Sequence, residues 1–555
     1  MTTLWGMHPS VAERLAKLAA DQRAAATAPP GPVLVVAPAG SGKTTTLVTR
    51  VAWLVDGGAD PLAVTVVAFN KRAAEELVER LDAALEPLGA SASGEGGVRV
   101  RTFHALGREV LAEAGIDVTA LADRDAVVRA LWPEMPAADR GRLDLAFSRL
   151  KLDLRVSPDD VAADEAAGPV ARAWVAYERA LRDDGALDFD DFVIRALRLL
   201  EADAAVLTRW RARCAELLVD EAQDLDRTQL DLAVLLAGER RNVTLVGDDD
   251  QTVYGWRLAD VRRVLNLAAA LPGLRRVDLE TNYRCPPPVV QRAVRLVEHN
   301  QERFAKRIVA GPRNAGRLVL APDANDDVVR VARAMGSWPD DGSTRAVLAR
   351  TNRELLVPVV VAVDRGWAFR APDLALPIED ARLDGLLERA VAANEPHPLV
   401  ALARLRAECR TVELAHPPDN PDEPTEADLV TAMLGWAAPL PSLDALRGAV
   451  ASFRARLHEL RRDDAPLTLA TAHGTKGLEW DHVLVLADGF PGRRSISDAA
   501  EPERALEEER RLAYVAWTRA RRSLTLLFDP AAPSRFLIEA FDAGELGLGE
   551  RRRAA

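Results

Sequence analysis

Val33-Leu-Val-Val-Ala-Pro-Ala-Gly-Ser-Gly-Lys-Thr44 opens as a β-branched apolar run and breaks into a glycine-rich turn. The apolar spacing of residues 45–55 predicts a helix, so the segment reads as strand, loop and helix. A phosphate-binding loop of the Walker A kind requires that context. Gly40 and Gly42 let successive backbone N–H groups turn inward around phosphates, and the helix N-terminus adds the positive end of its dipole. Lys43 is placed to neutralise the β- and γ-phosphates of ATP and Thr44 to hold Mg²⁺, with Ala39, Ser41 and Thr45 completing the cradle. Ala37 stands where the general pattern has glycine, which leaves the two turn glycines untouched.

Outward from this unit, strands are expected at residues 64–69, 217–219, 243–246, 317–320, 346–349, 483–486 and 524–528, interleaved with helices such as 72–85 and 504–520. Short strands alternating with helices predict parallel, helix-covered sheets. Residues 106–200 carry almost no strand signal and read as a helical insertion. A second strand-poor stretch, 372–464, includes the turn-rich run 416–424. The expected class is α/β, with two parallel-sheet cores each carrying a mainly helical insertion.

The 555 residues are 48% hydrophobic and 28% charged, which excludes a disordered or fibrous chain. With 72 basic and 84 acidic residues the formal charge is −12, so a uniformly basic nucleic-acid coat is excluded and any basic groove must be local. Cys214, Cys285 and Cys409 are too far apart for a disulfide framework or a paired-cysteine zinc site. Glu13, Arg14 and Lys17 interrupt the N-terminal segment, so no signal peptide, no membrane span and a cytoplasmic, bacterial location are expected. Only six of the 72 basic residues are lysine, so each lysine stands against a strong arginine bias.

Leu217-Leu-Val-Asp-Glu-Ala-Gln-Asp224 delivers adjacent carboxylates at the end of a buried strand, where α/β sheets bind ligands. Asp220 suits a Mg²⁺ ligand, and Glu221 is placed to take a proton from the water attacking the γ-phosphate. This pairing points to hydrolysis rather than to a kinase or a switch. Asp224 and Asp226 are equally suited to cap a following helix.

Further motifs follow in order: Val67-Ala-Phe-Asn-Lys-Arg-Ala-Ala74, Thr102-Phe-His-Ala105, Leu187-Asp-Phe-Asp-Asp-Phe192 and Leu245-Val-Gly-Asp-Asp-Asp-Gln-Thr-Val-Tyr-Gly-Trp-Arg257. Asn282-Tyr-Arg284, Thr471-Ala-His-Gly-Thr-Lys-Gly-Leu-Glu-Trp480 and Glu509-Arg-Arg-Leu-Ala-Tyr-Val-Ala-Trp-Thr-Arg-Ala520 complete the series. The ordered set resembles the UvrD/Rep/PcrA-type helicases of superfamily 1 along nearly the whole chain. The resemblance implies two RecA-like motor cores: the first at 1–105 and 191–270 with a helical insertion at 106–190, the second at 271–371 and 465–555 with a C-terminal tail and a reduced insertion at 372–464. It also implies that Gln22 reads the adenine, that Tyr283 stacks on it and that Glu479 meets the ribose end. Gln251 can hydrogen-bond both the γ-phosphate and the attacking water, sensing nucleotide state. Arg284 and Arg519, assigned to the second core, are expected to act as arginine fingers when the cores close.

Phe69, Phe103, Tyr254 and Trp256 fall at strand ends or in loops beside these motifs, where rings can stack on bases of any sequence. Core packing is the alternative for each, least so for Trp256 beside Arg257. Arg257 belongs to the expected basic groove, and His104 and His473 donate to phosphates, couple the DNA and ATP sites or are structural. The resemblance implies ATP-driven 3′ to 5′ movement on single-stranded DNA and duplex separation at single-strand/duplex junctions, in repair or recombination, with a repair-protein loader as partner. Two other readings stay open: a translocase that remodels a protein complex without unwinding, and a nucleotide switch without a motor.

Overall fold

The computed structural model describes residues 6–548 except 95, 313–314, 373, 394, 396, 416–424, 493–495 and 497–500, and excludes the side chains of 137–138 and 414–415. The turn-rich run 416–424 and the last residues of the expected C-terminal tail lie outside the described residues. Contacts divide the chain into two compact units. The first comprises Met1–Pro133, Leu143–Gly316 and Ile496–Thr518; the second comprises Glu134–Arg142, Arg317–Ser495 and Arg519–Ala555.

Six strands form the sheet of the first unit: β1 (Val33–Val36), β2 (Val64–Ala68), β3 (Arg99–Thr102), β4 (Glu216–Val219), β5 (Val243–Gly247) and β6 (Arg275–Asp278). Their order is β3-β2-β4-β5-β1-β6, and every pairing is parallel. Side chains alternate between two cores. Val33 and Val35 join Leu47, Val51, Leu77 and Leu81 from the helices Lys43–Asp56 and Lys71–Leu85. Leu34 and Val36 join Leu197, Leu232 and Leu236 on the other face. Each such side chain contributes about 1.5–3 kcal/mol on burial, which is why the inner strands read as unbroken apolar runs.

β3 and β6 escaped the sequence reading. They are the two edges of the sheet, with sequences Arg-Val-Arg-Thr and Arg-Arg-Val-Asp, and an edge strand tolerates the charge that an inner strand cannot. β6 also moves a boundary. It pairs with β1 over Val33↔Arg275 to Val36↔Asp278, carrying the first unit past the change of core expected at 270/271. The helix Pro502–Trp517, expected with the second core, is likewise part of the first unit. β7 (Thr281–Asn282) and β8 (Val309–Ala310) form a small parallel pair in the same unit.

Helices occupy the insertion between β3 and β4, as its composition predicts. At its centre the Lys151 ammonium lies 2.8 Å from Glu178, 2.9 Å from Asp188 and 3.1 Å from Asp191, all in the interior. The second unit repeats the architecture. β9 (Arg317–Pro322), β10 (Arg345–Ala349), β11 (Phe369–Arg370), β12 (Leu467–Thr471), β13 (Trp480–Leu486) and β14 (Ala520–Phe528) lie in the order β11-β12-β10-β13-β14-β9, all parallel. Between β11 and β12 run the helices Arg382–Ala392, Pro398–Ala415, Glu426–Ala437 and Leu443–Leu460, which share one core with the sheet.

Candidate functional site

The carboxyl ends of β4, β5 and β1 are neighbours, because β1 inserts between β5 and β6. The three motifs that follow these strands therefore meet. After β1, Gly40 and Gly42 adopt φ of +68° and +81°, and both are also sterically required. A Cβ at Gly40 would lie 2.7 Å from Arg284 Cβ, and one at Gly42 would lie 2.6 Å from Gln22 Nε2. Gln22 is buried, donating from Nε2 to the Ser41 carbonyl at 2.8 Å and accepting the Ala19 N–H on Oε1 at 3.0 Å. The Tyr283 N–H donates to the Gly40 carbonyl at 2.8 Å. A cavity of about 570 Å³ opens there, lined among others by Gln22, Gly40, Gly42, Thr45 and Tyr283, so the residues assigned to adenine share one space. Ala39 is buried beneath the loop.

Lys43, at the helix start, lies 3.1 Å from both carboxylate oxygens of Glu221. Glu221 holds a left-handed backbone at φ +52°, costly for a side chain with a Cβ. Its N–H donates to Asp220 Oδ1 at 3.0 Å and its Oε2 accepts from Gln223 Nε2 at 2.6 Å. Gln223 Oε1 accepts the Asp248 N–H at 3.0 Å, and Asp248 Oδ2 accepts from Gln251 Nε2 at 2.6 Å. A continuous polar chain thus runs from Lys43 to Gln251 across three strand ends.

Of the two outer acids, Asp226 caps the helix Arg227–Ala237, accepting the Gln229 N–H at 2.8 Å. Burial pushes its pKa up to about 7, against the backbone hydrogen bond from Gln229 that favours the charged form. Because the folded-state value is raised, the stability this group contributes is complete below the ordinary aspartate pKa and is lost as pH rises toward 7. Asn caps as well as Asp without titrating. Asp226→Asn is therefore expected to raise the unfolding free energy relative to the parent by a margin that widens from pH 5 to pH 8, on the order of 2 kcal/mol at the upper end. Thermal melts across that range measure it.

Arg284 was expected in the second core; the structure places it in the first unit. The reason is local. Asn282 Oδ1 accepts the N–H groups of Arg284 and Cys285 at 2.9 and 2.8 Å, folding the segment against the phosphate loop ahead of the helix Pro287–Val297. Arg284 Nη1 donates to the Thr518 carbonyl at 3.2 Å. Arg519, the next residue in sequence, belongs to the second unit. There it is buried, donating to the Leu478 carbonyl at 3.3 Å. In that same unit Glu479 stands half-exposed 3.5 Å from Arg521, and His473 follows β12 in a short turn.

The expected aromatics gather at the same end of the first sheet. Phe69 stacks on Tyr254 with centroids 5.2 Å apart, and Tyr254 meets Trp256 edge-on at 6.1 Å. Trp256 is 53% exposed, with the Arg257 guanidinium 4.5 Å over its ring. Phe103 is a correction: it is 4% exposed and packs with Leu106 and Val110, leaving no ring face for a base. His104 stacks at 4.0 Å on Phe189, whose ring is exposed, and burial pushes its pKa down to about 4, so near neutral pH it is an uncharged ring and no phosphate-binding cation. Phe189 was not singled out in the sequence, although an apolar residue between Asp188 and Asp190 was the available signal.

Residues 18–272 match the family model of the UvrD/REP helicase N-terminal domain, and residues 450–529 match that of the UvrD-like helicase C-terminal domain. The ATP-dependent DNA helicase UvrD2 of Mycobacterium tuberculosis is 32% identical, over 94% of this chain and 81% of its own length. The chain belongs to the UvrD/Rep helicase family. Two Escherichia coli relatives, DNA helicase II and the ATP-dependent DNA helicase Rep, are each 27% identical, over 91% and 92% of this chain and 84% and 92% of their own lengths. The two parallel sheets are accordingly the two RecA-like cores of the family.

The phosphate loop of this UvrD/Rep-family chain fits a nucleotide with Mg²⁺. Ser41 Oγ is buried there with no hydrogen-bond partner among the described residues, an orphan that a phosphate oxygen would satisfy. Among the described residues no group of three or more His, Cys, Asp or Glu could hold a metal ion. Thr44 and Asp220 instead offer one hydroxyl and one carboxylate, the sparse set that suits Mg²⁺, which keeps waters and phosphate oxygens in its shell.

Proposed function

We propose that this chain is an ATP-driven motor that moves 3′ to 5′ on single-stranded DNA and separates duplex ahead of it, in bacterial DNA repair or recombination. One observation carries the reading. The polar chain from Lys43 to Gln251 ends three residues before Tyr254, which begins the Tyr254–Trp256 aromatic row, so nucleotide and base faces address one rigid sheet end. Lys43 leaves Glu221 when it turns to a phosphate, which frees that carboxylate to accept a proton from the attacking water. Gln251 reports the presence of the γ-phosphate to the loop that carries Tyr254 and Trp256. Arg519 supplies transition-state charge from the second core. Arg284, beside the loop, serves from the first. Thr44 and Asp220 would hold Mg²⁺, which would supply charge neutralisation at the phosphates. Loading onto junctions by a repair protein, and residence in the cytoplasm, belong to the same reading. No helix among the described residues is long and apolar enough to cross a membrane.

Purified protein with ATP, Mg²⁺ and duplexes bearing either a 3′ or a 5′ tail tests the direction. Displacement of the 3′-tailed duplex alone is expected. Hydrolysis stimulated by single strands without displacement of either duplex would favour the translocase that remodels a complex. Trp256→Ala is expected to weaken single-strand binding by about 1–3 kcal/mol, equally for sequences of different composition. Fluorescence anisotropy with homopolymer and mixed oligonucleotides measures this, and a loss confined to one sequence would contradict the stacking role.

A further inference from the structure

Two lysines kept against the arginine bias are buried, and each meets three carboxylates: Lys151 in the insertion and Lys306 beside β5. Lys306 has no part in the reading above. Its ammonium lies 2.7 Å from Asp248 Oδ1 and 3.0 Å from Asp250 Oδ2, and also pairs with Asp249 Oδ1; all four side chains are almost wholly buried. Arg303 grips Asp250 with two hydrogen bonds, 3.0 and 2.8 Å, and the Phe304 N–H donates to the other oxygen of Asp249 at 2.8 Å. Asp248 is thus shared between Lys306 on Oδ1 and Gln251 Nε2 on Oδ2.

An ammonium donates in three diverging directions from one atom, whereas a guanidinium is a planar fork that can grip one carboxylate with two bonds. Here arginine makes the two-bond pair with Asp250 and lysine the three-way contact.

We propose that Lys306 is a positioning residue for ATP hydrolysis: it holds Asp248 as a fixed acceptor, and Asp248 in turn holds the Gln251 amide with its N–H side toward the carboxylate. Without that cation, Asp248 loses the contact that fixes its carboxylate and turns away. Its Oδ2 then no longer specifies which face of the amide Gln251 presents to a phosphate and a water. The inference rests on Gln251 as the nucleotide-sensing residue.

Lys306→Met alone would leave buried carboxylates uncompensated, so the test pairs it with Asp249→Asn, which removes one charge of each sign. Melting temperature and steady-state hydrolysis at saturating single-stranded DNA are measured for this pair, for Gln251→Ala, for their combination and for Lys306→Arg. The charge-balanced pair is expected to melt close to the parent, to lose about 10- to 100-fold in kcat and to keep its ATP KM within about twofold. Adding Gln251→Ala should cost no more than Gln251→Ala alone, since both changes act through one amide. Lys306→Arg, which keeps the charge but not the three-way geometry, should also lose kcat, and it decides the matter if the pair fails to fold. Parental kcat in the folded pair, or in Lys306→Arg, with Gln251→Ala impaired would overturn the positioning role and leave Gln251 in place. Parental kcat in Gln251→Ala would overturn both.

Discussion

Glu221→Gln is expected to lower kcat for ATP hydrolysis by about 10³-fold, within the range of about 10²–10⁴ that a positioned general base supplies, while nucleotide binding persists. The substitution keeps the shape and the strained backbone at φ +52° but removes the proton acceptor. It also replaces the ion pair with Lys43 by a neutral contact, so the affinity for ATP should hold or rise, because the lysine no longer has to leave a carboxylate for a phosphate. Single-turnover hydrolysis and nucleotide titration of the same variant separate the two effects. A kcat within tenfold of the parent would remove Glu221 from the chemistry and leave its backbone strain without a functional reason.

Lys151→Met should produce the largest loss of stability. Removing one partner of a buried ionic cluster leaves uncompensated charge and costs about 3–5 kcal/mol. Here three carboxylates would each lose a cationic partner, because Glu178, Asp188 and Asp191 all lie within 3.1 Å of the ammonium, and Arg195 would still pair with Asp191. Arg124 Nη2 and the Tyr177 hydroxyl also bind Asp188 Oδ2, at 2.7 and 2.9 Å, and would retain part of its stabilisation. The neighbouring cations hold the Asp188 carboxyl well below the usual range despite its burial. That depressed value adds a pH signature: the stability it contributes is present above the ordinary aspartate pKa and is lost as the solution is acidified below it. Denaturant unfolding at neutral pH should show the full deficit, and the gap between variant and parent should narrow in acid.

Much of the site was legible because its chemistry is local. Gly40, Gly42 and Lys43 need only a strand before them and a helix after, and both are encoded within 25 residues. Asp220 and Glu221 follow from a buried strand that ends in acids. The aromatic readings divided by burial, which residue type does not determine. Phe103 and Phe69 both follow a strand by one residue, yet one faces the core and the other stacks on Tyr254. His104 reads in the sequence as either a phosphate contact, a coupling residue or a structural ring, and its burial in the fold keeps it neutral.

The sequence by itself determined the α/β class, the glycine-rich loop after β1, the carboxylates at the end of β4 and the helical character of both insertions, because periodicity and turn residues act over a few positions. Only the tertiary structure decided that β6, Tyr283, Arg284 and the helix Pro502–Trp517 belong to the first unit. Edge strands carry charge like loops do, and strand order is set by packing between segments more than 200 residues apart, such as β1 with β5 and β6. The same long-range packing set Lys306 among three aspartates 56 to 58 positions away, a partnership that no local spacing announces.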